Sequence, residues 1–467
     1  MSLMVSVSGI RGIVGVDLTP PVIMNYVGAF SRLMKIGGRK VLLGRDTRES
    51  GKMIERIVEG TLCSLGWDTI NVGVATTPGI LFATRKMNCS GGIAITASHN
   101  PLQWNALKLC NEEGLFFTER NITRLKKLVL KMSREKQMWK PFDSLGSVIV
   151  DNSINDLHAE EVIRHLNVDL ISERRFRVAV DPGEGAASIV DRLFLERLGC
   201  SVVSLNSIQE GLTVGRKFPR GTEPVPENLT QLSRFISEQG ADIGFAQDPD
   251  GDRLSVVSET GEAIGEEYSL VLAGEAFLRK KKTDLACNLS TSMMINDLAL
   301  RHGVKVRRTK IGEIHVTDAL LKHGLSFGGE GNGGVIVPEI NPCRDSVVGM
   351  GLILELLAYT GKTVTQLVKS IPRYELRKEK LSLPQGPPVA ETNLLSRMVQ
   401  RARKEYRGYT IDTLDGIKVY NDREWLHLRP SNTEPIIRIF AESSTRIRTG
   451  ELIESGKAFI HELLREN

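Results

Sequence analysis

The amino-acid sequence predicts an α/β protein with three similar α/β domains and a smaller α+β domain at its C-terminal end. Three successive stretches alternate apolar strands with amphipathic helices, and in each stretch two strands end in an unusual polar or glycine-rich loop. After about residue 372 this alternation changes to a helix, closely spaced strands and a terminal helix. Such alternation predicts mixed, mostly parallel sheets covered by helices. A length of 467 residues also exceeds what one hydrophobic core supports.

The first domain is predicted for residues 1–148. Its first helix begins after Thr19, because Thr19 can cap a helix and the two prolines that follow favour a first turn. The segment 141–153 is interpreted as a linker between two helices. The strands and later helices of this region are predicted at 40–43, 67–72, 92–96, 122–136 and 154–166.

The second domain is predicted for residues 149–256, the third for 257–372 and the fourth for 373–467. In the fourth domain, residues 421–424 are predicted to form a hairpin turn. Ligands of open α/β sheets bind at the carboxyl ends of strands, so the unusual loops lie where function is expected. The strands of these domains are predicted at 176–180, 201–205, 242–246, 285–289, 305–308, 325–327, 417–420, 425–428 and 436–441, with a helix at 394–406.

Composition and charge exclude several classes of protein. The net charge of +5 is small for this length, and the basic run 279–282 is interpreted as a solvated helix end and not as a nucleic-acid site. No apolar stretch reaches the length of a membrane span, and no export signal is visible. The six cysteines are scattered without metal-ligand spacing. We therefore expect a cytoplasmic protein that binds neither nucleic acid nor membranes.

The loop Thr-Ala-Ser-His-Asn-Pro at 96–101 follows an apolar strand and presents Ser98 at the strand end. Pro101 keeps the preceding residue out of helical conformation, so the hydroxyl of Ser98 can face a cleft. An ordinary serine and asparagine turn is the alternative interpretation of this segment.

Three carboxylates, Asp248, Asp250 and Asp252, follow another apolar strand within five residues. Such a concentration of negative charge requires a cation, and all-oxygen ligation with room for a phosphate oxygen favours Mg²⁺. An EF-hand is excluded because Arg253 occupies the position that requires glycine and because a strand, not a helix, precedes the loop. A solvated acidic turn remains the alternative.

Two further loops carry polar side chains of interest. The glycine-rich loop 328–334 surrounds Glu330 and precedes a strand, which indicates close approach to a polyhydroxyl ligand and not a dinucleotide fold; a flexible turn is the alternative. The second loop combines hydroxyls, an amide and guanidinium groups, a composition typical of a phosphate site. Its predicted phosphate-binding residues are Arg429, Ser431, Asn432, Thr433 and Arg438.

In this order, the four loops resemble those of the α-D-phosphohexomutase family over essentially the whole chain. Segments 8–12, 44–48, 218–228 and 309–313 are also similar to that family. The resemblance implies four domains around a central cleft, and interconversion of hexose 6-phosphates and hexose 1-phosphates through a bisphosphate intermediate. It implies a phosphorylated Ser98, one Mg²⁺ held by the phosphoserine and the three aspartates, and a hexose 1,6-bisphosphate as primer.

The resemblance also assigns roles to single residues. It implies that Arg11, His99, Lys108 and Arg253 surround the transferring phosphoryl group. Either Lys108 or His99 is expected to transfer protons, because both lie near Ser98 in sequence. Three carboxylates and a phosphoserine carry about −5 together, so Mg²⁺ and nearby cations are needed. The residues implied to bind substrate are Glu330, Asn332, Lys310 and Gly312.

The most specific expectation concerns which sugar phosphate is the preferred substrate. The segment 103–108, Gln-Trp-Asn-Ala-Leu-Lys, and the loop Gly-Glu-Gly-Asn-Gly-Gly at 329–334 look most like bacterial phosphoglucosamine mutases, whereas many family members carry serine where Asn332 stands. Glucosamine phosphate is therefore the expected substrate, with phosphoglucomutase/phosphomannomutase activity as the alternative. A sugar-phosphate-binding protein without turnover is the alternative of another class. A monomer or homodimer is expected.

Overall fold

The structure is a computed structural model that describes residues 3–34, 38–132, 139–208, 217–383, 394–431 and 436–465. The chain divides into two compact units. The first unit contains Met1–Lys281 and Ser326–Val368, and the second contains Lys282–Leu325 and Lys369–Asn467. None of the helices in the described residues combines the length and hydropathy needed to cross a bilayer.

The first unit begins with a seven-stranded mixed sheet in the order β1-β2-β6-β5-β3-β4-β7. Its helices cover both faces, because apolar side chains of α1, α2 and α4 form one cluster and those of α3 and α5 contribute to another. The elements of this sheet and its helices are β1 (Met4–Ser6), β2 (Gly9–Ile13), α1 (Pro20–Leu33), β3 (Lys40–Arg45), α2 (Glu49–Ser64), β4 (Asp68–Val74), α3 (Thr77–Lys86), β5 (Gly91–Ile95), β6 (Trp104–Asn111), α4 (Glu119–Met132), β7 (Val148–Val150) and α5 (Ile154–Ile163).

A second mixed sheet in the same unit repeats part of the first. Its order β11-β10-β8-β9 and its strand directions match those of β6-β5-β3-β4, as the sequence repeat predicted. The remaining elements of the first unit are α6 (Val168–Arg174), β8 (Arg177–Asp181), α7 (Ala187–Arg197), β9 (Ser201–Ser204), α8 (Thr230–Gln239), β10 (Ile243–Gln247), β11 (Leu254–Ser258), α9 (Glu266–Lys280), β14 (Phe327–Glu330), β15 (Gly334–Ile336), α12 (Ser346–Thr360) and α13 (Val364–Val368).

The second unit contains a parallel strand pair with two helices and a five-stranded antiparallel sheet. The pair β12 and β13 runs in parallel, and the sheet has the order β16-β20-β19-β18-β17. Its elements are β12 (Leu285–Asn288), α10 (Met294–His302), β13 (Val306–Thr309), α11 (Glu313–His323), β16 (Glu375–Ser382), α14 (Leu394–Glu405), β17 (Thr410–Asp412), β18 (Ile417–Tyr420), β19 (Trp425–Pro430), β20 (Ile436–Ser443) and α15 (Arg446–Arg465).

The fold class predicted from the sequence is confirmed: three α/β domains with mixed sheets precede a small domain with an antiparallel sheet. The helix expected after Thr19 begins at Pro20, and the hairpin turn closes where Asn421 N–H donates to Glu424 O at 3.0 Å. One segment differs from its interpretation. The expected linker 141–153 contains β7, because three consecutive β-branched residues there pair in parallel with β4.

None of the six cysteines forms a disulfide bond, and five of them are buried. Cys89 lies in the apolar cluster of α3, and Cys110 and Cys343 pack against Leu81. Burial raises the pKa of the Cys110 thiol to about 12. A buried thiol with a raised pKa is a poor nucleophile and a poor metal ligand, so we interpret these cysteines as core residues.

Candidate active site

The serine loop leaves the end of β5 in a conformation that an ordinary turn does not require. Ser98 has a φ of +49°, in the left-handed region, and is 4% exposed. Its N–H donates to Thr96 Oγ1 at 2.9 Å, and its hydroxyl donates to Asp248 Oδ2 at 2.9 Å. A non-glycine residue in this region is uncommon and is found where surrounding contacts impose it. The loop therefore holds the Ser98 hydroxyl against a carboxylate that lies 150 residues away in sequence.

One buried arginine holds the serine loop in place. Arg48, at the start of α2, donates to the carbonyl oxygens of Ser98 at 2.6 Å, Asn100 at 2.7 Å and Pro101 at 2.9 Å. Its own position is set by Asp46, whose Oδ2 accepts from Arg48 Nε at 3.1 Å. Charged donors form stronger hydrogen bonds than neutral donors, so this guanidinium stabilises the unusual backbone of the loop. Sequence reasoning did not identify Arg48 as a site residue.

The three carboxylates of the acidic loop converge after β10. Asp248, Asp250 and Asp252 are at most 1% exposed, and one oxygen from each lies within 4.8 Å of the others. Burial and the two neighbouring carboxylates raise the pKa of Asp248 well above its ordinary value. Burial would also raise the pKa of Asp250, but Lys108 and the hydrogen bonds of its carboxylate hold it below its ordinary value. The three buried carboxylates therefore repel one another, and a cation bound beside them would relieve this repulsion.

Several polar groups donate to the Oδ2 atoms of Asp250 and Asp252. Asp250 Oδ2 accepts from Lys108 Nζ and from Thr77 Oγ1, both at 2.6 Å. Asp252 Oδ2 accepts from Arg344 at 2.6 Å. Lys108 lies on β6 and Thr77 begins α3, so the first domain supplies two of these donors. Thr77 and Arg344 were not predicted from the sequence.

The Oδ1 atoms of Asp250 and Asp252 are suited to a bound divalent cation. Asp250 Oδ1 and Asp252 Oδ1 are buried and have no hydrogen-bond partner within the described residues. Leaving a buried carboxylate oxygen unpaired is costly, and hard divalent cations such as Mg²⁺ prefer oxygen ligands of this kind. The orphaned oxygens and the three-carboxylate donor set therefore fit a divalent cation such as Mg²⁺, close to the hydroxyl of Ser98.

A histidine lies beside the Ser98 hydroxyl, and two arginines contact the residues that follow Ser98 in the same loop. His99 Nδ1 lies 3.3 Å from Ser98 Oγ and accepts from Arg253 at 3.1 Å. Arg253 also donates to Glu223 at 3.1 Å. Arg11, on β2, donates to Asn100 Oδ1 at 2.7 Å. The structure thus brings together all five residues expected around the transferring phosphoryl group: Ser98, His99, Lys108, Arg11 and Arg253.

The two candidates for proton transfer have opposite protonation states. Burial, with Arg253 and Arg11 nearby, lowers the pKa of His99 to about 2, so this imidazole is neutral. Burial disfavours the Lys108 ammonium, but Asp250 and Asp252 outweigh it and raise the pKa of Lys108. Lys108 is therefore a charged acid, and His99 is a neutral but weak base.

The glycine-rich loop joins β14 to β15 within the first unit. Glu330 is 3% exposed and accepts from Arg344 at 2.8 Å, so one arginine links this loop with the acidic loop. A Cβ at Gly331 would lie 2.0 Å from a Glu267 oxygen, and one at Gly333 would lie 2.1 Å from Leu254 O. Glycine is required at Gly333, where the φ is +82° and the backbone of Leu254 fills the space, whereas a side chain at Gly331 would displace the Glu267 carboxylate.

In the second unit, Arg429 lies on β19 directly opposite Arg438 on β20. Arg429 Nε donates to both Asp415 oxygens, at 3.0 and 2.9 Å. Asp415 Oδ2 also accepts from Ile311 N–H at 2.9 Å, which ties the segment 309–313 to Arg429. The structure thus brings the segment of Lys310 and Gly312 to the arginine pair. Sequence reasoning missed Asp415, although an Asp-Gly pair before a strand was a visible signal.

The other predicted phosphate-binding residues have different outcomes. Ser431, directly after β19, is 4% exposed. Asn432 and Thr433 lie outside the described residues.

In the sugar loop, Asn332 Oδ1 is buried without a hydrogen-bond partner in the described part of the chain. An unsatisfied buried acceptor of this kind is suited to a ligand's donor.

Behind the acidic loop, a buried acid makes stability depend on pH. Asp191 of α7 accepts from Gln247 Nε2 at 2.8 Å, while its Oδ2 and Gln247 Oε1 have no partner within the described residues. Burial raises the pKa of Asp191 from 3.8 to about 7. The folded protein therefore binds more protons than the unfolded chain between these values, so the free energy of unfolding decreases as the pH rises through this window.

We expect Asp191→Asn to remove this pH dependence and to stabilise the protein above neutrality. The amide that replaces the carboxyl group is uncharged. Its oxygen can accept from Gln247 Nε2, and its nitrogen can donate to Gln247 Oε1. Urea unfolding at about pH 5 and about pH 8 measures the effect. The exposed Asp422→Asn variant is the control, and an equal pH dependence in wild type and Asp191→Asn would contradict the assignment.

Sequence comparison identifies three matching family segments. Residues 3–136, 156–261 and 265–374 match the α/β/α domains I, II and III, respectively, of the phosphoglucomutase/phosphomannomutase family. A Thermococcus kodakarensis protein named "Phosphoglucomutase/phosphomannomutase" is 36% identical, with 98% of each chain covered. A Pyrococcus abyssi protein named "Probable phosphoglucosamine mutase" is 32% identical, again with 98% of each chain covered.

Solved structures show the same fold. A phosphoglucomutase/phosphomannomutase family protein from Burkholderia thailandensis aligns with a TM-score of 0.83 at 24% identity, covering 98% of both chains. The Aspergillus fumigatus N-acetylphosphoglucosamine mutase, solved with GlcNAc-6P and magnesium, aligns with a TM-score of 0.60 at 13% identity, covering 99% of this chain and 96% of that one. The similarity thus extends over nearly the whole chain.

Proposed function

The chain belongs to the phosphoglucomutase/phosphomannomutase family, and on that premise we propose that this phosphohexomutase interconverts glucosamine 6-phosphate and glucosamine 1-phosphate through a phosphoserine at Ser98. The observation that carries the phosphoserine is the contact of the strained Ser98 loop with the acidic cluster. An acyl-transfer serine needs an effective basic partner, whereas burial and two arginines lower the pKa of the neighbouring His99 to about 2. The Ser98 hydroxyl instead donates to a carboxylate of a cluster suited to a cation.

The proposed cycle has two balanced transfers. The phosphorus–oxygen bond to Ser98 breaks while a free hydroxyl of the sugar monophosphate bonds to the phosphorus and loses its proton. The released Ser98 oxygen gains a proton, and the product is a hexose 1,6-bisphosphate. The Ser98 hydroxyl then loses its proton as it accepts the other phosphoryl group of the bisphosphate, and the released sugar oxygen gains a proton. A hexose 1,6-bisphosphate serves as primer because it phosphorylates an unmodified Ser98. Positioning and charge supply most of the catalysis in such transfers.

The cations around Ser98 are suited to the charge of the transferring group. Lys108 keeps its proton, so it offers an ammonium that can donate to a phosphoryl or leaving oxygen. Arg253, which contacts His99, and Arg11, which contacts Asn100, add two guanidinium groups to the same loop. Asp248, Asp250, Asp252 and the phosphoserine would hold Mg²⁺, which supplies Lewis-acid polarisation of a phosphoryl oxygen.

The arginine pair of the second unit is suited to the phosphate that is not transferred. Arg429 and Arg438 face each other across two strands, and Arg438 Nε is buried without a partner within the described residues. Two guanidinium groups in a fixed arrangement favour bidentate recognition of phosphate. Asp415 orients Arg429 and neutralises only part of this charge. Ser431, Lys310 and Gly312 are the further candidates for contact with the sugar phosphate.

The surroundings of the sugar loop support an amino sugar. Glu330, paired with Arg344, and Glu267 place two carboxylates beside the loop, and Asn332 Oδ1 has no hydrogen-bond partner within the described residues. An ammonium group at C2 of glucosamine is a better partner for acceptors and negative charge than a hydroxyl. Relatives named as phosphoglucosamine mutases, at 30 to 33% identity, support the same preference.

A substrate panel tests this preference. The phosphorylated enzyme with Mg²⁺ is assayed with glucosamine, glucose and mannose 1-phosphates, each with its matching bisphosphate primer. We expect kcat/KM for glucosamine 1-phosphate to exceed the other two by about tenfold or more, equivalent to about 1.4 kcal/mol of transition-state binding. Turnover of only glucose and mannose phosphates would overturn the amino-sugar assignment.

Phosphoglucomutase/phosphomannomutase activity is the second candidate. It is favoured by the 36% identity with the Thermococcus kodakarensis protein that carries this name. The same panel distinguishes the two candidates. Product analysis also separates a mutase from a phosphatase or a binding protein, because a mutase conserves total sugar monophosphate and changes its isomer.

A further inference from the structure

We propose that a cavity in the second unit binds a small organic anion with an apolar body, at a site separate from the Arg429 and Arg438 pair. The cavity has a volume of about 420 Å³ and lies where α10 and β13 meet the edge of the antiparallel sheet. This volume lies within the range of about 300 to 1,000 Å³ that is typical of small-molecule sites. The proposal goes beyond the mutase function and uses none of its residues.

Lys418 is the central cation of this cavity. It lies on β18, is 6% exposed, and its Nζ donates to Leu289 O and lies 4.1 Å from the centre of the Trp425 ring. No ion pair joins its ammonium to a carboxylate in the described part of the chain, although Glu442 and Asp412 are near enough to favour its charged form. Burial and Arg308 outweigh these two carboxylates and lower the pKa of Lys418 to about 7. A bound anion would therefore supply the missing partner of a costly buried charge.

A second cation lies in the same wall. Arg308 of β13 donates to Thr291 O at 2.6 Å and to Asn296 Oδ1 at 2.8 Å, which holds its guanidinium in one position. Because these acceptors are neutral, Arg308 has no acidic hydrogen-bond partner among the described residues. The acidic lining residue, Asp412, is engaged by the backbone N–H of Leu414 at 2.8 Å. The cavity thus has a net positive character.

The rest of the lining is apolar. Met293, Leu300 and Val306 contribute hydrocarbon surface, and Trp425 contributes an aromatic face. Leu300 is 80% exposed on α10 although it borders the cavity. An apolar body would cover this surface while its anionic group met Lys418 and Arg308. A carboxylate or sulfonate on a flat or branched hydrocarbon therefore fits better than an inorganic anion or a neutral sugar.

The cavity and the proposed phosphate site have different lining. The residues that line the cavity in the described part of the chain do not include Arg429 or Arg438. The two sites are neighbours, because Lys418 pairs with His427, two residues before Arg429 on β19, which corresponds to about 7 Å along the strand. Comparison of Lys418→Met with Arg429→Met therefore decides which of the two sites a ligand occupies.

Calorimetric titration of the full-length protein with 2-naphthalenesulfonate tests the proposal, with 2-naphthol as the uncharged comparison. We expect the sulfonate to bind, and Lys418→Met to weaken it by about tenfold or more through loss of a charged contact. Leu300→Asp, at an exposed position that tolerates a polar residue, should also weaken it. Lys322→Met, an exposed lysine of α11 with the same charge change, should bind as wild type, and so should Arg429→Met.

Three results would overturn the proposal. The first is the absence of measurable sulfonate binding, or equal binding by wild type, Lys418→Met and Leu300→Asp. The second is loss of binding in Arg429→Met alone, which would assign the sulfonate to the phosphate site, and the third concerns the uncharged comparison. Thermal unfolding of each variant checks its fold, and Leu300→Asp keeps the test decisive if Lys418→Met is unstable. Binding of 2-naphthol as tight as that of the sulfonate would reject the requirement for an anion.

Discussion

Replacing Ser98 with alanine should reduce kcat by at least about 10⁴-fold while the protein remains folded and still binds sugar phosphate. The substitution removes the oxygen that carries the phosphoryl group, so no bisphosphate can form. The loop itself should persist, because Arg48 holds its carbonyl oxygens and Thr96 accepts its N–H without using the Ser98 side chain. Turnover assays and intact mass spectrometry, which detects one added phosphoryl group, provide the measurement.

Ser90→Ala is the matched control for this experiment. Ser90 is also 4% exposed, and its Oγ has no hydrogen-bond partner within the described residues. The same atom is therefore removed from an equally buried site that carries no proposed chemistry. Ser90→Ala should retain wild-type turnover and phosphorylation. Phosphorylation of Ser98→Ala after incubation with the bisphosphate, or turnover near that of wild type, would reject Ser98 as the carrier.

Replacing Asp248 with asparagine should abolish activity and yet stabilise the metal-free protein. Burial and two neighbouring carboxylates oppose the charge of Asp248, and asparagine relieves this repulsion. Its side-chain oxygen can still accept from the N–H groups of Asp252 and Arg253, as Asp248 Oδ1 does. We expect a gain of about 0.5 to 2 kcal/mol in the absence of metal, the range of other stability–activity trade-offs.

Added Mg²⁺ should reverse the order of stability. Wild type should gain about 2.7 kcal/mol when free Mg²⁺ is 100 times its dissociation constant, whereas Asp248→Asn should gain little because it lacks a ligand charge. We expect its kcat to fall by about 10³-fold or more. Thermal unfolding in chelator and in Mg²⁺ measures both effects, together with turnover assays.

Asp191→Asn is the control with the same substitution at a similarly buried position behind the acidic loop. It should keep activity and the full stabilisation by Mg²⁺. Equal stabilisation by Mg²⁺ in wild type and Asp248→Asn would contradict the metal site. Activity of Asp248→Asn close to wild type would exclude Asp248 from catalysis.

The sequence predicted which loops matter but not what supports them. Ser98, Asp248 and Glu330 were recognisable because each directly follows or ends an apolar strand in a repeated pattern. Arg48, Arg344 and Asp415 were missed because an isolated charged residue looks the same whether it is solvated or buried against distant carbonyl and carboxylate oxygens. Their importance lies in contacts such as Arg344 with Asp252, which are 92 residues apart.

The sequence by itself determined the repeated α/β organisation, the order of the loops and the chemistry each can supply, because these depend on local patterns of apolar and polar residues. The tertiary structure decided which charges meet. It set the protonation of His99 and Lys108 in opposite directions. Within the described residues it also left two aspartate oxygens without a hydrogen-bond partner and placed Lys418 in a cavity without an ion-paired carboxylate. Such properties depend on burial and on neighbours distant in the chain, which only packing brings together.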